Sequence, residues 1–305
     1  MYIEQGYKGK LGIWKYFIIP ILFFGLMTLN VLVTTLLGVD AESIIQQEIA
    51  RKGSNRFLVE MLIPFAVFLA GLFFWVKYIH EQSIRSLTTS RKRVDWRRIF
   101  FAFTVWAGIT LLVFFIDYFS NPQDYILQFD LPKFAVLAVI ALLLIPLQTS
   151  FEEYFFRGYL MQGLGIITKN RWFPLVFTSV VFGLMHISNP EVGKLGPVIM
   201  IYYIGTGFFL GIITLMDEGL ELAIGFHAAN NLITALLVTS DWTAFQTHSV
   251  FKDVSLPTAG NEIFLTVLVL FPLLTLLFAK KYGWTNWKEK LTAKVIPPVK
   301  HTSEG

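Results

Sequence analysis

Six side chains in this sequence are of types that carry out or support hydrolytic chemistry: Glu152, Glu153, Arg157, His186, His227 and Asn231. Each interrupts an apolar stretch. An ionisable group at membrane depth costs about 3 kcal/mol or more, so such groups persist mainly where they line a site or pair with one another. Glu152 and Glu153 are consecutive, so on a helix they point about 100° apart. Glu153 and Arg157 stand four apart and share a face. That fits an ion pair and leaves Glu152 with no partner expected in its own helix. His227 and Asn231 also stand four apart on one face. Glu152 and His186 each lie about 17 residues from a turn expected near 168–171, so two antiparallel helical legs bring them to similar depth.

A carboxylate beside an imidazole, with a water between them, is a hydrolase arrangement. On this reading Glu152 takes a proton from water, His186 orients that water, and the water attacks a peptide carbonyl. His227 and Asn231 donate to the developing oxyanion, each donor being worth roughly 10²–10³ in rate, while Glu153 and Arg157 lock the geometry. Glu152, His186 and His227 are equally a permissible zinc set with an open position for water. The lack of a His-x-x-x-His pair on one helix weakens that second reading without removing it. Taken singly, each group has a bland explanation: an interhelical salt bridge, a satisfied buried histidine, or a polar clamp of about 1 kcal/mol. Their occurrence together on three apolar segments favours one shared site. Cysteine is absent, which excludes a thiol nucleophile, a thiolate metal site and a disulfide framework.

The elements that must position these groups are read from hydropathy. The 305 residues are 55% hydrophobic and 15% charged, with a mean hydropathy of +0.60; a soluble domain carries about 25% charged residues. The fold class expected is an all-α integral membrane protein of about eight transmembrane helices, near 13–37, 57–79, 99–119, 133–157, 172–188, 196–216, 221–239 and 262–280, each close to the ~20 residues a bilayer requires. With the N-terminus inside, the cytoplasmic segments hold 16 Lys and Arg and the opposite segments 5, so the positive-inside bias puts both termini in the cytoplasm. The same reasoning assigns the basic blocks to the cytoplasmic face rather than to a nucleic acid partner. Pro146 predicts a kink or a break in the fourth helix. The organisation expected is three N-terminal helices (1–132), a catalytic core (133–240), a loop and last helix (241–283), and a loosely ordered basic tail (284–305).

Other features receive structural readings. Gly207-x-x-x-Gly211, with Gly205 beside it, marks close helix packing. Asp217, Glu218 and Glu221 sit at a short turn and are expected to be solvated. Trp14, Trp172, Tyr282 and Trp284 are expected as interfacial anchors, and Asn230 is expected to point away from the site. His80-Glu81 opens a zinc-protease pattern that residue 84, an isoleucine, fails to complete. His248 and His301 are expected in loops.

Glu152-Glu153-x-x-x-Arg157, Phe182-x-x-x-His186 and His227-x-x-x-Asn231, in that order, resemble the CPBP (Abi) family, which includes type II CAAX prenyl endopeptidases and bacteriocin-processing enzymes. The resemblance covers about residues 135–240. It implies an eight-helix intramembrane endopeptidase with Glu152 as general base, His186 sharing its water, and His227 and Asn231 forming the oxyanion site. Members are described both as metalloproteases and as metal-independent glutamate proteases; the reading favoured here is the glutamate protease, which requires no cofactor, with zinc on Glu152, His186 and His227 as the other. The partners implied are membrane lipid and a hydrophobic or lipidated peptide, CAAX-type or bacteriocin-like. The localisation implied is a bacterial plasma membrane, with bacteriocin self-immunity among the family's associations. The competing functions are a polytopic transporter and a non-catalytic membrane scaffold keeping the same buried polar cluster. Serine rhomboid, aspartyl and site-2 zinc types lack their motifs here.

Overall fold

The computed structural model describes residues 1–298. Eight apolar helices occupy the places expected from hydropathy. They are α1 (Lys15–Leu36), α2 (Ser54–Ile79), α3 (Trp96–Ser120), α4 (Leu131–Thr168), α5 (Trp172–Leu184), α6 (Ile199–Asp217), α7 (Glu221–Leu237) and α8 (Glu262–Tyr282). Six of them are long and apolar enough to cross a membrane. The other two, α5 with 13 residues and α7 with 17, are shorter. Lipid-facing positions on the outer helices carry exposed leucines such as Leu26, Leu112, Leu143, Leu268 and Leu276. In water such a surface would be an aggregation site; in a bilayer it is the solvent-matched face.

Helix α4 departs from expectation. It runs unbroken through Pro146, and the irregularity falls later, in a π-helical stretch Tyr154–Leu160. Its start is set by Asp130, which accepts the Lys133 backbone N–H at 3.2 Å, followed by Pro132 in the first turn, where a missing N–H costs nothing. Its end is set by Lys169 in the left-handed conformation, φ 54°. Helix α5 is shorter than expected: it stops at Leu184, and His186 lies in the turn beyond it.

Helix α7 packs chiefly on α3 and α4, α6 on α5, and α2 on α4. Two glycines permit the closest crossings. A Cβ on Gly225 of α7 would lie 2.1 Å from the Ile99 carbonyl oxygen, and one on Gly207 of α6 would lie 2.4 Å from the Ser179 carbonyl oxygen. The small-residue stripe on α6 therefore does serve close packing.

Beyond the helices is a three-stranded sheet absent from the all-α expectation. Strands β1 (Tyr125–Leu127), β2 (Val238–Thr239) and β3 (Phe251–Asp253) take the order β1–β3–β2. Strand β3 pairs antiparallel with β1 and parallel with β2, with Tyr125 opposite Asp253 and Val238 opposite Phe251.

The opposite end of the bundle corrects three readings. Asp217 and Glu221 are buried, not solvated. Arg91 bonds Asp217 at 2.9 Å and Glu221 at 3.1 Å, and Arg98 also pairs with Asp217. Trp284 is a buried donor to Asp217 at 3.0 Å rather than an interfacial anchor. The tail is partly built in: Trp287–Thr292 is helical, Lys294 pairs with Asn170, and Val295 is buried. Residues 299–305, His301 among them, lie outside the described residues.

Candidate functional site

Glu152 and Glu153 end the regular part of α4, and Arg157 sits within its π-helical stretch. Arg157 and Glu153 are both fully buried, with Nη1 donating to Glu153 Oε1 at 3.1 Å. The second arm, Nη2, donates to the Gly207 carbonyl at 3.1 Å, and the guanidinium lies 4.2 Å from the Phe182 ring centre. One side chain thus ties α4 to α5 and α6. A planar fork with several donors can do this; a lysine ammonium cannot match both directions.

His227, on α7, stands between the two carboxylates. Its Nδ1 is 2.8 Å from Glu153 Oε1 and its Nε2 is 3.5 Å from Glu152 Oε2. Glu153 Oε1 already accepts from Arg157, so His227 Nδ1 carries the proton and donates. Nε2 then faces Glu152 with its lone pair when the ring is neutral. The i, i+4 spacing pairs His227 with Asn231; the fold also sets it against both glutamates.

Glu152 does have a partner in its own helix, contrary to expectation. Gln148, one turn earlier, donates to Glu152 Oε1 at 2.6 Å. Gln148 in turn accepts from Asn231 Nδ2 at 3.1 Å, and Asn231 Oδ1 accepts from Asn230 Nδ2 at 3.1 Å. Asn230 Oδ1 receives the Trp106 indole N–H at 3.0 Å and the Tyr202 hydroxyl at 3.3 Å. The indole can only donate, which fixes the orientation of each amide in turn. The bonds therefore run one way, from Trp106 to Glu152. Asn230, expected to point away, is a link in this chain. The sequence signal for this contact is the i, i+4 spacing of Gln148 and Glu152, a shared helical face that a search for ionisable groups alone does not pick out.

Glu152 Oε2 is buried and has no hydrogen-bond partner. It faces a cavity of about 540 Å³ that Gln148, His186, His227 and Asn231 also line. His186 reaches that cavity from the turn after α5. Its Nδ1 is 2.9 Å from the Phe182 carbonyl, so Nδ1 is the donor and Nε2 is left as the acceptor. Its ring stacks on Tyr203, centres 4.4 Å apart. His186 and His227 flank the same ring, Phe182, at 5.1 and 5.9 Å between centres, so the two imidazoles stand at a common depth.

The six residues singled out by type and spacing thus converge from two helices, α4 and α7, and the turn after α5. Among the described residues no group of three or more His, Asp or Glu side chains is spaced to hold a metal ion; Glu152, His186 and His227 line one cavity.

Comparison with known proteins agrees with the motifs. The family model described as Type II CAAX prenyl endopeptidase Rce1-like matches residues 131–233, the segment that carries every residue of the cluster. The uncharacterized protein YyaK of Bacillus subtilis (strain 168) is 30% identical over 296 residues, covering 93% of this chain and 95% of that protein. No solved structure matches the chain. An α-helical membrane bundle with these three motifs in order, a family match across them and a relative similar over nearly its whole length lead to one conclusion: this chain belongs to the CPBP family, with the Rce1-like type II CAAX prenyl endopeptidases.

Proposed function

We propose that this protein is an intramembrane endopeptidase in which Glu152 activates water and the peptide bond is cut within the cavity between α4, α5 and α7. The observation that carries the reading is the unpartnered oxygen of Glu152, buried against a cavity that the two histidines and Asn231 also line. A buried carboxylate oxygen without a donor is costly, and a substrate water is the partner that makes sense of it.

Glu152 Oε2 accepts a proton from the water, whose other hydrogen points to His186 Nε2. The oxygen attacks the peptide carbonyl. The proton then passes from Glu152 to His227 Nε2, in line with their 3.5 Å contact. Once protonated there, His227 has an N–H to donate toward the oxyanion, with Asn231 Nδ2 supplying a second donor. This differs from a His227 that donates from the outset, since its single proton when neutral sits on Nδ1. Collapse of the tetrahedral intermediate moves the His227 Nε2 proton to the leaving amine. Glu153 and Arg157 hold His227 in register. No step is routed through a metal, and insensitivity to chelators is part of the proposal.

The substrates proposed are hydrophobic or lipidated peptides, CAAX-type or bacteriocin-like, held partly in lipid. The similarity to a Bacillus subtilis protein supports a bacterial plasma membrane. The test is purified protein in proteoliposomes with a hydrophobic peptide library, fragments being read by mass spectrometry. Wild type yields new termini, and Glu152→Gln, which keeps the size and the Gln148 contact, yields none. Cleavage by Glu152→Gln at the wild-type rate overturns the proposal.

A further inference from the structure

The two ends of the bundle differ in charge, and the cavity belongs to one of them. One end gathers the segments 1–12, 80–98, 158–171, 217–220 and 280–298, which hold 15 Lys and Arg against 6 Asp and Glu. Contacts tie these segments together: Lys10 N–H to the His80 carbonyl, Thr89 paired with Gly219, and Asn170 with Lys294. The other end gathers 38–56, 120–132, 189–195 and 240–261, with 5 Lys and Arg against 8 Asp and Glu. These too are tied to one another, by Lys194 to Glu42, Gln46 to Asp241 and β1 to β3. The positive-inside bias assigns the basic end to the cytoplasm and the acidic end to the outside.

From Glu152 the cavity extends toward the acidic end. Its far wall is built by Asn189, Glu191, Ser240, Trp242, Thr243 and Asp253. Lining residues that keep accessible surface, Thr234 and Thr243 among them, lie on this side. No described residue of the basic-end segments lines it. On that side the carboxylates are backed by Phe155, Phe156, Ile213, Met216, Leu222 and Phe226, all but inaccessible. Behind these lies the ion-pair cluster of Arg91, Arg98, Asp217 and Glu221. The lining also has a sign. Among the described residues it includes the carboxylates Glu152, Glu191 and Asp253 and no Lys or Arg. Glu191 accepts the Ala244 backbone N–H at 2.9 Å with one oxygen and leaves the other buried without a donor.

We infer that the cavity takes its occupant from the extracytoplasmic half of the membrane, and that this occupant is an apolar peptide segment that is neutral or cationic. That the occupant is a peptide to be cut rests on the peptidase reading; the direction of entry does not. A peptide tethered in the cytoplasmic leaflet faces a packed aromatic floor and a closed set of ion pairs. One lying at the outer surface meets open space leading to Glu152, with carboxylates along the way that favour a basic group and repel an acidic one.

The chain has no cysteine, so single substitutions report accessibility without a background. Thr234→Cys and Thr243→Cys sit on the cavity wall, Thr258→Cys in an outer loop and Lys288→Cys at the basic end. Each is exposed to a membrane-impermeant maleimide in intact and in permeabilised cells. The expected result is that Thr258→Cys and at least one of the two cavity variants label equally in both, and that Lys288→Cys labels only after permeabilisation. Labelling of both cavity variants only after permeabilisation, failure to label either in any condition, or reversal of the Thr258 and Lys288 controls overturns the inference. Right-side-out vesicles supplied with an apolar lysine-bearing peptide provide the second readout. Cutting without permeabilisation supports outside entry, and cutting only after it refutes outside entry. Correct labelling with no cutting in either condition sinks the peptidase reading and leaves the direction of entry standing.

Discussion

Replacing Arg157 by Met removes a buried guanidinium that makes three interactions at once: the 3.1 Å pair with Glu153, the 3.1 Å bond to the Gly207 carbonyl and the 4.2 Å approach to the Phe182 ring. Glu153, fully buried, then has His227 as its remaining partner. Breaking one side of a buried ion pair typically costs 3–5 kcal/mol, mostly through the charge left behind. Losing a charge-assisted bond to a carbonyl (about 1.5–3 kcal/mol) and a desolvated cation–π contact (about 1–2 kcal/mol) is consistent with the upper half of that range. Glu153→Gln strands the guanidinium and is expected to cost a similar amount. The double variant strands neither charge, so its cost should fall about 2–3 kcal/mol short of the sum of the singles, far outside the ~0.5 kcal/mol scatter of independent sites. The assay is reversible unfolding of purified protein in mixed micelles titrated with a denaturing detergent. Additive costs, or single costs below about 1 kcal/mol, refute the argument that this pair is a desolvated, mutually dependent unit.

Four further outcomes follow from the same geometry. Gln148→Leu removes the donor to Glu152 and breaks the chain of amides from Trp106; loss of a bond to a charged group (about 1.5–3 kcal/mol) predicts a 10- to 150-fold fall in kcat with KM little changed, read by peptide cleavage in proteoliposomes. Asn231→Ala is expected to lower kcat by roughly 10²–10³ by removing an oxyanion donor, and an unchanged kcat contradicts that role. Glu191→Gln should reduce kcat/KM about fivefold for a lysine-bearing peptide and leave a neutral peptide unaffected, since a partly solvated charge pair is worth about 1 kcal/mol. Asp217→Asn uncouples Arg91 and Arg98 at the basic end of the bundle and should cost about 2–4 kcal/mol in the unfolding assay, with cleavage per folded molecule unchanged.

Composition and spacing determined the membrane class, the positions of eight apolar helices and the six residues of the polar cluster, four of which (Glu152, His186, His227 and Asn231) line the cavity, because each rests on a local rule. Hydropathy depends on residue type within a window of about 20, and i, i+4 spacing sets a shared face whatever the neighbours. The motif order carried the family for the same reason. What lay beyond local rules was decided by contacts between helices. Glu152 is held by Gln148 only because Asn231 and Asn230, on another helix, orient that amide. His227 bridges two carboxylates because α7 packs against α4. Asp217, Glu221 and Trp284 read as surface residues in sequence, yet they are buried because α6, α7 and the chain after α8 bring them against Arg91 and Arg98. Hydrogen-bond direction and burial are properties of pairs distant in sequence, so they are settled when the bundle closes and not before.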